Sequence, residues 1–228
     1  MARRSFSSPL RLLACAAAAA LPALAQALCT SDGVPGPTVL LERFINADCG
    51  DCWTERTTPQ AAANALALDW VVPGLRGDDA PLAAVASDEA LRRLAFLGRP
   101  VPARSSTAST LRQGRSPAPR LAQGAAFNDY VGASIALKDP GREPWRTWLL
   151  LVEKLPAGTE GSPVERNLVR NVFQPEWGQP MARPGERRAE MRPMQIHEGA
   201  RAERLRLVAV AHDGRGRLRA IARTQCSE

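Results

Sequence analysis

The first third of the chain contains two mostly apolar runs, and both predict buried strands. Residues 39–45 form the longer run, which is bounded by turn residues as central or parallel strands commonly are. Residues 69–73 predict a shorter second strand. Between the two runs, Thr58 and Pro59 form a favourable cap and first turn, so residues 60–68 are predicted to be helical. A helix that begins at Cys52 and bends at Pro59 is the alternative.

Polar and small residues dominate two other stretches and weaken any periodic signal there. Ser87 and Asp88 begin a second predicted helix, which has apolar residues at helical spacing and ends at Gly98. Residues 99–120 are rich in Ser, Pro, Arg and Thr, and we expect a loop or a weakly ordered insertion. Residues 181–199 are polar and are predicted to be irregular.

The second half of the chain is predicted to consist mostly of strands. Residues 130–137 and 145–155 are apolar enough for strands, and the second of these is predicted to be central. Residues 165–173 fit either a helix or a strand. Residues 205–211 and 218–222 alternate around a glycine-rich turn and predict a closing antiparallel hairpin.

Residues 1–27 carry the pattern of a signal peptide. An arginine pair precedes an uncharged, alanine-rich run at residues 12–24, and small residues that fit a signal-peptidase site follow it. The run is shorter than the roughly 20 residues that cross a bilayer, which disfavours an uncleaved anchor. Lipid attachment at Cys15 stays an alternative. We therefore expect a periplasmic or secreted domain from residue 28 to 228, with no stable membrane span after cleavage.

The charge of the chain changes when this leader is removed. The full chain has 30 basic and 23 acidic residues and a net charge of +7. Three arginines belong to the leader, so 27 basic residues remain against 23 acidic ones, a net charge of +4. The arginines are interspersed with carboxylates and aromatic residues are few, which argues against nucleic-acid binding. About 200 residues suit a single domain.

Four cysteines remain after cleavage, namely Cys29, Cys49, Cys52 and Cys226. An even number in an oxidising compartment predicts two disulfides, and three pairings are open. A bridge between Cys49 and Cys52 closes a short loop and constrains the unfolded chain by about 2 kcal/mol. A bridge between Cys29 and Cys226 closes nearly the whole domain and contributes about 5 kcal/mol. The outer pair is thus predicted to be a structural clamp, which leaves redox chemistry as the role for the inner pair.

The segment Cys49-Gly50-Asp51-Cys52 follows the first predicted strand and stands before a predicted helix. A helix start presents backbone N–H groups and partial positive charge, which favour a thiolate. We therefore assign Cys49 as the attacking thiol and Cys52 as the resolving thiol. Asp51 opposes this activation, because a nearby carboxylate disfavours a thiolate. Asp51 and Trp53, which lie between and directly after the cysteines, are candidates for shaping the site and its binding surface.

This order of elements, with the early Pro59 in the helix and the closing hairpin, resembles the thioredoxin fold. More narrowly, the chain resembles a family of secreted bacterial thioredoxin-like proteins of unknown function in residues 40–44, in residues 166–172 followed by Trp177-Gly178, and in the closing hairpin. The resemblance implies an α/β fold, with a thioredoxin-like mixed sheet, flanking helices and additional β-structure in the second half. It also implies a cis-proline directly before the third strand and facing the cysteines. In this chain residues 125–128, which contain no proline, are expected at that position.

Three roles for the Cys49–Cys52 pair stay open at this point. The first is weak thiol–disulfide exchange with another envelope protein through a transient mixed disulfide, which requires an exposed Cys49 and a groove. The second is a non-catalytic binding or scaffold module with a permanent bridge, in which both sulfurs are covered. A metal site is the third, although His197 and His212 lack zinc-site spacing from the pair. We expect no cofactor.

Overall fold

The computed structural model describes residues 29–114, 116–138, 145–177 and 187–226. Strands account for 47% of these residues and helices for 12%, so the expected thioredoxin-like α/β arrangement with flanking helices is wrong. The described chain forms two large sheets and two α-helices, α1 (Gly50–Trp53) and α2 (Asp88–Phe96). The predicted signal peptide, including Cys15, lies outside the described residues.

The smaller sheet has five strands in the order β12-β1-β5-β6-β9, and all of its neighbouring strands are antiparallel. In chain order its strands are β1 (Cys29–Thr30), β5 (Arg120–Phe127), β6 (Tyr130–Lys138), β9 (Arg187–Gln195) and β12 (Gln225–Cys226). Cys29 and Cys226 are direct partners in the β1–β12 register and form a disulfide. This bridge therefore joins the two shortest strands of the sheet.

The larger sheet has seven strands in the order β11-β10-β7-β8-β3-β2-β4. Its strands are β2 (Val39–Asn46), β3 (Ala65–Val72), β4 (Ser105–Leu111), β7 (Arg146–Leu155), β8 (Arg166–Phe173), β10 (Leu205–His212) and β11 (Leu218–Arg223). The β2–β3 and β3–β8 pairs are parallel, whereas β4 pairs with β2 antiparallel. Strands β10 and β11 confirm the predicted closing hairpin.

The larger sheet is covered on both faces, which explains why its strands are apolar on both sides. On one face, α2 packs over a core that includes Leu40, Phe44 and Trp148. On the other face, the smaller sheet packs against β7, β10 and β11 through residues such as Ile135 and Leu151. The strands β2, β3 and β8 are covered on that second face by α1 and its neighbouring loops. The disulfide of α1 therefore belongs to a third, smaller apolar cluster.

Helix α2 is confirmed where the sequence predicts it. The hydroxyl of Ser87 accepts a hydrogen bond from the Ala90 amide at 3.3 Å and caps the helix start. Leu94 is buried in the core below the helix. Arg93 points into the same core and donates two hydrogen bonds to the Glu42 carboxylate, at 2.7 and 2.8 Å. The helix is therefore tied to β2 by apolar packing and by a buried ion pair.

Three other predictions of local structure are corrected. The helix predicted at residues 60–68 is wrong, because residues from Ala65 onward extend β3 and pair with β2 along its whole length. The loop predicted at residues 99–120 contains the edge strand β4, which bonds to β2 although its own sequence is polar. The polar segment from residue 181 contains β9, which pairs with β6. In all three segments, backbone pairing with a neighbouring strand produced a strand that the local sequence does not predict.

Candidate functional site

Strand β2 leads directly into the cysteine pair. The Cys49 amide donates to the Asn46 carbonyl at 2.9 Å, and the Cys52 amide donates to the Cys49 carbonyl at 3.1 Å. The disulfide between Cys49 and Cys52 spans the single turn of α1. The strand, the sulfur pair and a helical turn thus occur in the predicted order, but α1 has only four residues and ends at Trp53.

Both cysteines of this disulfide are buried. Cys49 is 7% exposed and Cys52 is 4% exposed, so neither residue stands out from the surface. They pack in the third apolar cluster with residues from β2, β3, β7 and β8, including Ile45, Val71 and Leu168. The bridge therefore acts as part of a small core between α1 and the larger sheet.

Arg166, at the start of β8, anchors the backbone of α1 to the larger sheet through hydrogen bonds. Its Nη2 donates to the Trp53 carbonyl at 2.8 Å and to the Cys52 carbonyl at 3.4 Å. Its guanidinium also lies 4.4 Å from the centroid of the Trp53 ring. Burial lowers the pKa of Arg166, whereas the charge and hydrogen bond of Asp69 act in the opposite direction.

Trp53 is mostly buried, although it also lines an opening of about 150 Å³ together with Leu155 and Leu168. Its Nε1 donates to the Glu160 carbonyl at 2.7 Å, and the residue is 7% exposed. Asp51 has the opposite environment, since its side chain is exposed to solvent at the start of α1. Asp51 also lines an opening beside Cys49. The expectation that Asp51 and Trp53 shape a binding surface therefore stays a prediction.

Asp69 is the shared partner of two buried arginines. Its carboxylate accepts from Arg43 at 2.6 Å, from Arg166 at 2.9 Å and from the Asn167 amide at 3.0 Å. The side chains of Arg43, Asp69 and Arg166 are all 3% exposed or less. One carboxylate thus faces two guanidinium groups, and this buried cluster carries one excess positive charge beside Cys52.

Two openings lie beside the cysteines of α1. The first, which we call the Cys49 cleft, has a volume of about 310 Å³ and is lined by Asp48, Cys49, Gly50, Asp51, Pro81, Ala103 and Arg104. The second, which we call the Arg43 cavity, has a volume of about 200 Å³. It is lined by Arg43, Ile45, Cys52, Glu55, Thr57, Thr58, Pro59, Ser105, Ser106, Thr107 and Arg166. Each cysteine therefore contacts a different opening.

The segment that precedes the strand beside β2 differs from the one that the thioredoxin-like resemblance implies. The strand beside β2 is β4, and the buried Pro102 precedes it and accepts a hydrogen bond from Asn46 Nδ2 at 3.0 Å. Residues 125–128 instead lead into the β5–β6 hairpin. Among the described residues no peptide bond is cis.

The two histidines lie in separate environments away from the cysteine pair. His212 is buried at the end of β10, and its ring centroid is 4.8 Å from that of Phe96. Burial and the charge of Arg93 lower its pKa to about 3, although Asp213 opposes this effect. His197 is exposed. Within the described ranges, no group of three or more His, Cys, Asp and Glu residues is arranged to hold a metal ion.

Comparison of the chain with protein-family models, with curated proteins and with solved structures finds no match. The thioredoxin-like resemblance is therefore supported only by the Cys49–Cys52 disulfide itself. The fold and the site define a predominantly β protein with two disulfides. The disulfides are consistent with an extracellular location. None of the described helices has the length and apolar character needed to cross a membrane.

Proposed function

We propose that this chain is an exported, non-catalytic binding module in which Cys49 and Cys52 form a permanent bridge. The burial of both cysteines in an apolar cluster is the observation that carries this proposal. A disulfide exchanges when a thiolate reaches one of its sulfurs, so a covered bridge reacts slowly. The bridge instead keeps α1 in the position from which its carbonyls accept hydrogen bonds from Arg166.

The binding role is supported by the two openings beside the cysteines of α1. The bridge holds the turn that separates the Cys49 cleft from the Arg43 cavity, and each opening includes one of its cysteines. Sites of this kind require walls that stay in place when the ligand is absent. A permanent crosslink within the shared wall meets that requirement.

Thiol–disulfide exchange is the second candidate, because the Cys49 cleft reaches the first cysteine. In this reaction a dithiol of a donor protein first reduces the Cys49–Cys52 bridge and is itself oxidised to a disulfide. The Cys49 thiolate then attacks a disulfide of another envelope protein and releases one partner thiolate. Cys52 then attacks the Cys49 side of the mixed disulfide and releases the second partner thiolate. The partner gains two electrons, and the Cys49–Cys52 bridge forms again.

The reduction potential of the Cys49–Cys52 pair distinguishes the two functions. The variant Cys29→Ala/Cys226→Ala isolates the pair, which is equilibrated in dithiothreitol buffers and quantified by thiol alkylation and mass spectrometry. A permanent bridge is expected to have a potential below about −300 mV. A potential between about −120 and −270 mV, the range of exchange proteins, contradicts the proposal and supports the second candidate. The urea-unfolded variant provides the reference for an unprotected bridge.

A further inference from the structure

We propose that the Arg43 cavity binds a small carboxylate, which pairs with the buried Arg43–Asp69–Arg166 cluster. The inference rests on the proposed binding function and names the class of ligand. It depends on three properties of the cavity: an excess buried charge, a buried donor that has no partner, and hydroxyl groups on the same face of the sheet.

The first property is the charge of the cluster. Asp69 is the one carboxylate within hydrogen-bond distance of Arg43 and Arg166 among the described residues. Their other acceptors are neutral, namely the carbonyls of Cys52, Trp53, Pro59 and Glu165 and the hydroxyls of Thr58 and Ser162. A buried charge without a counterion is costly, and a bound anion removes that cost. The excess of one positive charge favours a monovalent anion.

The second property is an unused hydrogen-bond donor. Arg43 Nε is buried and makes no hydrogen bond within the described structure, although the two other nitrogens of the same guanidinium do. Buried polar groups almost always have a partner, so an unpartnered N–H in a side chain that lines the cavity indicates a position for an acceptor atom. An N–H of a charged group makes a strong hydrogen bond to a carboxylate oxygen.

The third property is the placement of hydroxyl groups around Arg43. In the β2–β4 register Arg43 faces Thr107 and Ile45 faces Ser105, so these four side chains share one face of the sheet. Thr107 and Ser105 both line the cavity. A carboxylate that enters the cavity beside Thr107 and reaches the buried Arg43 Nε can accept from that N–H with one oxygen and from the Thr107 hydroxyl with the other.

The size and rim of the cavity restrict the ligand further. A volume of about 200 Å³ is smaller than that of sites for drug-sized molecules and suits a group of a few heavy atoms. Glu55 also lines the cavity, but it is exposed and accepts a hydrogen bond from the Thr57 hydroxyl at 2.8 Å. Its charge is screened by solvent and weakens anion binding only modestly.

The test is an NMR titration of the oxidised, ¹⁵N-labelled protein with propionate, with the neutral propionamide as the matched control ligand. The proposal expects saturable shifts of the Arg43 Nε–Hε resonance and the Thr107 amide, with a dissociation constant of about 1 to 10 mM. Propionamide is expected to leave both resonances in place. An absence of saturable shifts with propionate, or equal shifts with both compounds, overturns the proposal.

Matched variants locate the binding. Thr107→Val removes the proposed donor and is expected to weaken propionate binding about tenfold. Thr110→Val makes the same change on the other face of β4 and is expected to bind as the wild type does. Glu55→Gln is expected to strengthen binding by about twofold. Equal weakening by both threonine variants contradicts the assigned site.

N-acetyl-triglycine and its C-terminal amide identify the source of the carboxylate. Tighter binding of the free acid than of propionate indicates the C-terminus of a peptide, whereas equal binding indicates a free small acid. The amide is expected not to bind in either case. Failure of the binding experiment leaves the reduction potential of the bridge unaffected, so the failures of the two proposals are distinguishable.

Discussion

Individual buried charges in this protein are held by short, specific hydrogen bonds. Arg93 and Glu42 form a two-point pair in the core under α2, and the Glu42 carboxylate also accepts from Trp70 Nε1 at 3.1 Å. Arg170 donates to Glu153 at 2.7 Å on the far side of the sheet. Removing one member of such a pair leaves an uncompensated buried charge, so these side chains are sensitive to substitution.

His212 makes stability depend on pH. Its folded pKa of about 3 is below the unfolded value of about 6.5, so between these values the unfolded chain binds a proton that the folded chain does not. The contribution of neutral His212 to the free energy of unfolding is therefore fully present well above pH 6.5. It is lost as the pH falls from there toward 3. We expect urea unfolding between pH 6.5 and 5 to show a slope approaching about 1.4 kcal/mol per pH unit.

The variant His212→Gln is expected to reduce this slope, since it removes the titrating group from the core. His197→Gln changes the other histidine, which is exposed, and is expected to keep the wild-type slope. The pKa of Asp213 is also lowered, through the amides and side chain that donate to its carboxylate, but a carboxylate acts mainly at more acidic pH. A slope that is the same in wild type and His212→Gln contradicts the prediction.

At the scale of elements, α2 is the main cover of one face of the larger sheet. Leu94 is 1% exposed under the helix, so Leu94→Ala is expected to lower the free energy of unfolding by about 2 to 5 kcal/mol. Leu75→Ala makes the same change at a fully exposed position and is expected to have little effect. Urea unfolding measures both, and similar losses in the two variants contradict the assigned packing of α2.

The elements that were predictable from sequence are those with a strong local signal. The run at residues 39–45 and the Ser87 cap before α2 gave correct assignments, because burial and capping are both visible in the local sequence. Strand β4 has a polar sequence and forms through backbone pairing with β2, which no local pattern reveals. Residues 65–68 favour a helix by composition, yet pairing with β2 makes them a strand.

The candidate site was predictable to the same extent. Cys49 and Cys52 were identifiable from their spacing and from the preceding strand. Arg43, Asp69 and Arg166 were not identifiable as a cluster, because they come from three strands whose order in the sheet the sequence does not reveal. The assumption of a thioredoxin-like order also placed the approach to the strand beside β2 at residues 125–128, which lie at the end of β5 and in the turn to β6.

At the scale of the whole molecule, the Cys29–Cys226 bridge closes almost the entire described chain. We expect Cys29→Ala/Cys226→Ala to lose about 5 kcal/mol of unfolding free energy through the entropy of the unfolded chain. Cys49→Ala/Cys52→Ala removes a bridge that closes a loop of only four residues. This variant is expected to lose about 2 kcal/mol of unfolding free energy through the same effect. Urea unfolding of both double variants checks this order, and a larger loss from the inner pair contradicts it.

The bridge between β1 and β12 makes the domain a covalent ring from residue 29 to residue 226. A protease that cuts one exposed turn, such as the turn between β10 and β11, opens this ring without producing two separate fragments. The cut pieces stay tethered and can remain packed in the two sheets. In an environment that contains proteases, a single cleavage therefore does not release any part of the domain.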